Sequence, residues 1–121
     1  MKSCKLSFAT AYIIRNNLAE LIVNEGIEVD EVMVDEIHDF LLTNLEAPFS
    51  LFVNKKHSYS YTFQAQRKIV SLDEISTIAI VVTSSGALMS AEMLMNISGD
   101  LAQKIKVFQE REEALTWLNG G

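Results

Sequence analysis

The segment Asn54 to Thr62 (NKKHSYSYT) gathers most of the side chains in this chain that could do chemistry. Lys55 and Lys56 bring positive charge, His57 an imidazole donor, Ser58 and Ser60 hydroxyls, and Tyr59 and Tyr61 amphipathic anchors. The segment follows the apolar run Phe49 to Val53, which reads as a strand. In open α/β sheets, ligands collect outside the carboxyl ends of strands, where helix N-termini present free N–H groups. An anion or partner site is therefore expected there, built on Lys55, Lys56, His57, Ser58, Tyr59 and Ser60, exposed around the start of the following helix. The plainer reading makes Ser60 or Thr62 the cap of that helix and leaves Tyr59 or Tyr61 half buried.

Little else in the chain points to chemistry. His38 and His57 are far apart, and no HxxxH or paired-cysteine spacing indicates a metal site. His38 falls in an amphipathic stretch beside Ile37 and Asp39, where a solvated or capped imidazole is expected. Cys4 has no activating base near it in sequence and reads as a small apolar residue near a strand start. The carboxylates at Asp35, Glu36 and Asp39 and at Glu110, Glu112 and Glu113 read as solvated faces and favourable helix starts. GxGxxG, GxxxxGK[ST] and GxSxG are all absent. No catalytic residues, no metal and no cofactor are expected, and the chain reads as a non-enzyme.

A second candidate surface is apolar. Met89, Met93, Leu94 and Ile97, with Leu88 and Met95, make one helical stretch apolar on more than one side. Methionine is flexible and recurs at adaptable surfaces, so this stretch reads as core, as a dimer face, or as the lining of a pocket for an apolar ligand. The hairpin edge of the sheet is the other surface on which a homodimer would form.

Composition bounds the partners. At 121 residues the chain is expected to form one domain, residues 1–121, and its 49% apolar content is enough for a filled core. The net charge of −6 repels phosphate backbones and anionic headgroups, so neither nucleic acid nor a membrane is an expected partner. Apolar runs such as IAIVV at 78–82 are far short of the ~20 residues that span a bilayer. The first residues lack a continuous apolar core and a small-residue cleavage site, and the single cysteine permits no internal disulfide, so a cytoplasmic location is expected.

The elements that must position these residues follow from periodicity. Lys5 to Arg15 and Leu18 to Asn24 read as two antiparallel strands joined at Asn16-Asn17, since Asn tolerates positive φ in a tight turn. Asp30 is suited to cap a helix in which Val34, Ile37, Leu41 and Leu45 recur at helical spacing, and Pro48 marks its exit. Phe49 to Val53 is the next strand, followed by a helix over about 63–72. Thr77 to Thr83 is a strand ended by Ser84-Ser85-Gly86, and a methionine-rich helix runs from about Ser90 to Ile97, stopping at Gly99. Lys104 to Phe108 is the last strand, and Glu110 to Leu118 the closing helix. The order ββαβαβαβα predicts an α/β fold with a mixed sheet of about five strands and about four helices.

That order, the ending KIKVFQEREEALTWL and the passage HDFLLTNLEAPFSLFVNK resemble the SpoIIAA-like STAS family, in particular its small stand-alone bacterial members. The matching features are a last strand ending in Phe108, the acidic start Glu110, Glu112 and Glu113, and then Ala114, Leu115, Trp117 and Leu118. The resemblance implies a SpoIIAA-like fold and a regulatory or protein-interaction role, with a protein partner. Better-known members carry a regulatory serine in an Asp-Ser-Ser-Gly-like turn. The equivalent turn here is NKKHSYSYT, where Ser58, Ser60 and Thr62 do not match residue by residue, so no phosphorylation site is carried over. Ser84-Ser85-Gly86 looks similar but follows the next strand and lacks the Asp. The alternative is a small carrier of apolar molecules or lipid, by analogy with the related sheet topology of CRAL-TRIO domains.

Overall fold

Strands separated by helices must cross over to pair in parallel, and three such crossovers build the centre of this protein. The computed structural model describes residues 2–120, apart from the side chains at 87, 90, 93, 94, 97, 98 and 120. Its elements are β1 (Lys2–Lys5), β2 (Ala9–Arg15), β3 (Leu18–Val23), β4 (Glu28–Val29), α1 (Glu31–Asn44), β5 (Phe49–Lys55), β6 (Ser60–Tyr61), α2 (Phe63–Ile69), β7 (Ile75–Val82), α3 (Ser85–Ser98), β8 (Ile105–Phe108) and α4 (Arg111–Gly120). A short 3-10 turn, Gly99–Lys104, joins α3 to β8. The main sheet has six strands in the order β1-β2-β3-β5-β7-β8. β1, β2 and β3 pair antiparallel, and β3, β5, β7 and β8 pair parallel. Each of α1, α2 and α3 carries the chain to the neighbouring strand of the sheet. The α/β class and the four helices agree with the sequence pattern.

The two faces of the sheet bury different cores. On one, Leu51, Val53, Ile78 and Ile80 pack with Val34, Ile37 and Leu41 of α1, Ala65 and Ile69 of α2, and Ala91 of α3. On the other, Leu18, Phe52, Ala79, Val81 and Phe108 pack with Ala114 and Leu118 of α4. Each fully buried large side chain, such as Phe52 or Ile78, contributes about 1.5–3 kcal/mol relative to exposure. The alternation along β7, with Ile78 and Ile80 on one face and Ala79 and Val81 on the other, is what a strand covered on both sides requires. Asp30 caps α1 by accepting from the Met33 N–H at 2.9 Å, as its sequence position predicted.

Several local features depart from the sequence expectation. The sheet has six strands because β1, with the polar sequence Lys-Ser-Cys-Lys, pairs with β2. β1 therefore takes the edge expected for the hairpin, and Lys2 and Lys5 blunt it against further pairing. No described residue other than glycine has positive φ, so the Asn16-Asn17 turn is made without it. The β2–β3 pairing carries a register shift between Ile13 and Arg15, just before that turn. α3 starts at Ser85 rather than Ser90: Ser and Gly are tolerated in a first turn whose N–H groups lack intrahelical acceptors in any case. β5 runs two residues beyond Val53, to Lys55, which changes the environment of that lysine.

Candidate functional site

Along β5, inward positions recur every second residue: Phe49, Leu51, Val53 and then Lys55. Lys55 is thus the last inward position of a central strand, paired in register with Val82 of β7. It is 4% exposed, not on the surface as expected. Beyond it the chain turns through Lys56, His57 and Ser58 and returns as β6, which pairs in parallel with β4. Three further backbone bonds zip the ribbon to its neighbour: Gly26 N–H to Ser58 O at 2.8 Å, Ser60 N–H to Ile27 O at 3.0 Å, and Thr62 N–H to Val29 O at 2.9 Å. Gly26, at φ 79°, supplies the left-handed residue in the turn from β3 into β4. Thr62 caps α2 by accepting from Ala65 N–H at 3.1 Å, so the plainer reading of that residue holds.

The ribbon lays two tyrosines against the lysine. The Lys55 Nζ stands 3.6 Å from the centre of the Tyr59 ring and 5.5 Å from that of Tyr61. The rings meet edge to face with centroids 5.5 Å apart, and their hydroxyls lie 3.3 Å from each other. Both tyrosines are half-buried, and burial around their hydroxyls pushes both above the ordinary phenol range. Ring faces attract an ammonium, but they offer no lone pairs to its N–H groups. The Lys55 Nζ has no hydrogen-bond partner among the described residues, and burial lowers its pKa to about 8.

Lys55 and Tyr59 line a pocket of about 250 Å³ beyond the strand ends. Lys56, His57 and Ser58 border it from the β5–β6 turn, Glu25 from the end of β3, and Thr83, Ser84 and Gly86 from the passage of β7 into α3. Glu25 is fastened to the turn: its Oε1 accepts from Ser58 N–H at 3.1 Å and lies 3.9 Å from His57 Nδ1. Lys56 and Ser58 are exposed and His57 is partly so. The structure thus brings together five of the six expected residues, while Ser60 is exposed on β6 and does not line this pocket. The pocket borders the start of α3, not the start of α2 as expected. Sequence reasoning missed Glu25 and Thr83 and took Ser84-Ser85-Gly86 for a turn. The signal for them was topological, since β5 and β7 are parallel neighbours and their ends must lie side by side.

A second charged cluster lies on the opposite face of the sheet. Glu20 of β3, 4% exposed, accepts from Arg111 Nη1 and Nη2 of α4, each at 2.7 Å, and from Asn54 Nδ2 at 3.0 Å. The Arg111 guanidinium also stands 4.9 Å from the Phe52 ring centre. Burial pushes the Glu20 carboxyl up, but the bonds from Arg111 and Asn54 outweigh it and hold the group below the usual carboxylate range. Glu20 is fully engaged and serves to clamp α4 to the sheet.

The remaining expectations fall elsewhere. His38 is buried rather than solvated, with Nε2 3.2 Å from Ile69 O, and burial lowers its pKa. Among the described residues no group of three or more His, Cys, Asp and Glu side chains is placed to hold a metal ion, and no helix is long and apolar enough to cross a membrane. Of the apolar face, Met89 is 65% exposed, while the side chains of Met93, Leu94 and Ile97 lie outside the described residues. Comparison of the chain with protein-family models, with curated proteins and with solved structures finds no match.

Proposed function

We propose that this protein is a non-enzymatic regulatory or protein-interaction module of the STAS type, working through the rim at the carboxyl ends of β5 and β7. The observation that carries the reading is the zipped β4–β6 ribbon. It holds Lys56, His57 and Ser58 outward as a fixed turn, beside the start of α3, in a chain whose net charge is −6. A rigid basic projection on an acidic body suits an acidic patch on a partner protein, because complementary charge sets orientation and suppresses wrong partners. The ββ-hairpin leading into successive β–α units, and the closing Phe108-to-Leu118 passage, support the family reading. The groups around the pocket are charged or hydroxyl-bearing, which favours this role over a carrier of apolar molecules.

Affinity capture with the immobilised chain, run beside a Lys56→Glu, His57→Glu variant, tests the reading. A protein retained by the wild type and lost from the variant, with retention falling as salt rises, is the expected result. Equal capture by both would move the working surface elsewhere. Reproducible turnover in a broad activity screen, abolished by one substitution, would end the non-enzymatic reading.

A further inference from the structure

We infer that the pocket between the Lys55–Tyr59 segment and the start of α3 is a binding site for a phosphate-class oxyanion, with the Lys55 ammonium as its central donor. This goes beyond the protein-interaction reading and does not depend on it.

Three features converge on the pocket. The first is Lys55 itself, which is 4% exposed, lines the pocket and has no acceptor for its N–H groups among the described residues. Buried charges in folded proteins are paired and hydrogen-bonded, and Glu20 shows that this fold can supply a complete set of partners. The second is the N-terminus of α3, a helix of 14 residues whose first N–H groups have no intrahelical acceptor and whose dipole favours negative charge. Gly86 stands in its first turn, and a Cβ added there would meet nothing within 4 Å, so the helix end is open to approach. The third is the balance of charge. Lys55 and Lys56 bring two cations, and His57 adds a third when protonated, against one carboxylate, Glu25. Glu25 is already engaged by the Ser58 N–H and faces His57.

The cations arrive from separate segments, Lys55 on β5 and Lys56 in the turn, and Thr83, Ser84 and Gly86 border the pocket where β7 passes into α3. A planar carboxylate has two oxygens to offer such a set, whereas a phosphate group has three and up to twice the charge. Nζ is buried and stands over the Tyr59 ring, so an incoming oxyanion reaches it through a rotamer change of the flexible lysine stem. With its pKa at about 8, Lys55 remains mostly cationic at neutral pH and keeps the charge that the site needs.

The full-length protein is titrated with inorganic phosphate, phenyl phosphate, acetate and chloride at matched ionic strength, and binding is read by calorimetry and by the thermal midpoint. Saturable binding of phosphate or phenyl phosphate, at least about tenfold tighter than acetate, is expected. Tighter binding of the ester identifies an esterified ligand, and tighter binding of the free ion identifies phosphate itself. Lys55→Met should fold and lose at least about tenfold in affinity. Gly86→Asp, which places a carboxylate in open space at the helix start, should fold and lose a similar factor. No saturation by either phosphate compound up to about 10 mM, or equal binding of acetate, would overturn the inference. So would full retention of phosphate affinity in a folded Lys55→Met protein.

Discussion

Glu20 and Lys55 occupy neighbouring strands of one sheet, are each 4% exposed, and meet opposite fates. Glu20 faces α4 and is enclosed by the Arg111 fork and the Asn54 amide. Lys55 faces the other way, toward the β4–β6 ribbon, with its ammonium over the Tyr59 and Tyr61 rings and without a hydrogen-bond partner among the described residues. Asn54 and Lys55 are consecutive, so one residue step along β5 separates a completed polar cluster from an incomplete one. The difference teaches how to read a buried charge. When its hydrogen-bonding capacity is met, it is a fastening. When it is unmet and borders a pocket, it costs stability and marks a candidate binding position.

Breaking the satisfied cluster should have the largest effect. Arg111→Ala leaves Glu20 buried beside Asn54 alone and is expected to cost about 2–3 kcal/mol of stability in urea unfolding, below the range for fully buried pairs because Arg111 is partly exposed. The acid limb sharpens the point. Glu20 is held below its ordinary value of 4.5, so its contribution is present above about that pH and is lost as pH falls through the depressed folded value. The Arg111→Ala protein should lose less on acidification than the wild type.

Removing the unsatisfied charge should act in the opposite direction. Lys55→Met keeps the stem and deletes an ammonium without acceptors, and a gain on the order of 2 kcal/mol at pH 7 is expected, net of the lost ring contacts. The sign with pH follows from the lowered pKa. Between about 8 and 10.5 the unfolded chain still holds the lysine proton that the folded chain has released, so wild-type stability rises with pH across that window. The advantage of Lys55→Met should therefore be full below about pH 8 and shrink above it. Tyr59 and Tyr61, raised in the fold, oppose the rise once the unfolded phenols begin to ionise near 10. The smallest effect is expected in the turn: Lys56→Ala with His57→Ala should change thermal stability by no more than about 0.5 kcal/mol, because both side chains reach solvent.

The helices were legible because their signals are local: the Asp30 cap, the Val34–Leu41 stripe and the Gly99 stop each lie within a few residues of what they govern. β1 was not, because Lys-Ser-Cys-Lys has no strand pattern of its own and exists through pairing with β2. The two-residue strands β4 and β6 are likewise products of tertiary contact. The candidate loop was found by its composition, but its composition also misled, since a lysine between Asn54 and Lys56 reads as solvated. The period of two from Phe49 was the better guide and puts Lys55 inside. Glu20 was missed, its one signal being a charge within the apolar run LAELIV, and its partner Arg111 lies 91 residues away, beyond any local rule.

The unmet Lys55 ammonium is the centre of this account, and its titration measures it most directly. Carbon-13 NMR of lysine Cε resonances, with Lys55 assigned by its absence in Lys55→Met, follows the group from pH 6 to 11 in the folded protein. A midpoint near 8 is predicted. A midpoint near the ordinary lysine value of 10.5 would mean that the amine is solvated or paired, and would contradict the account.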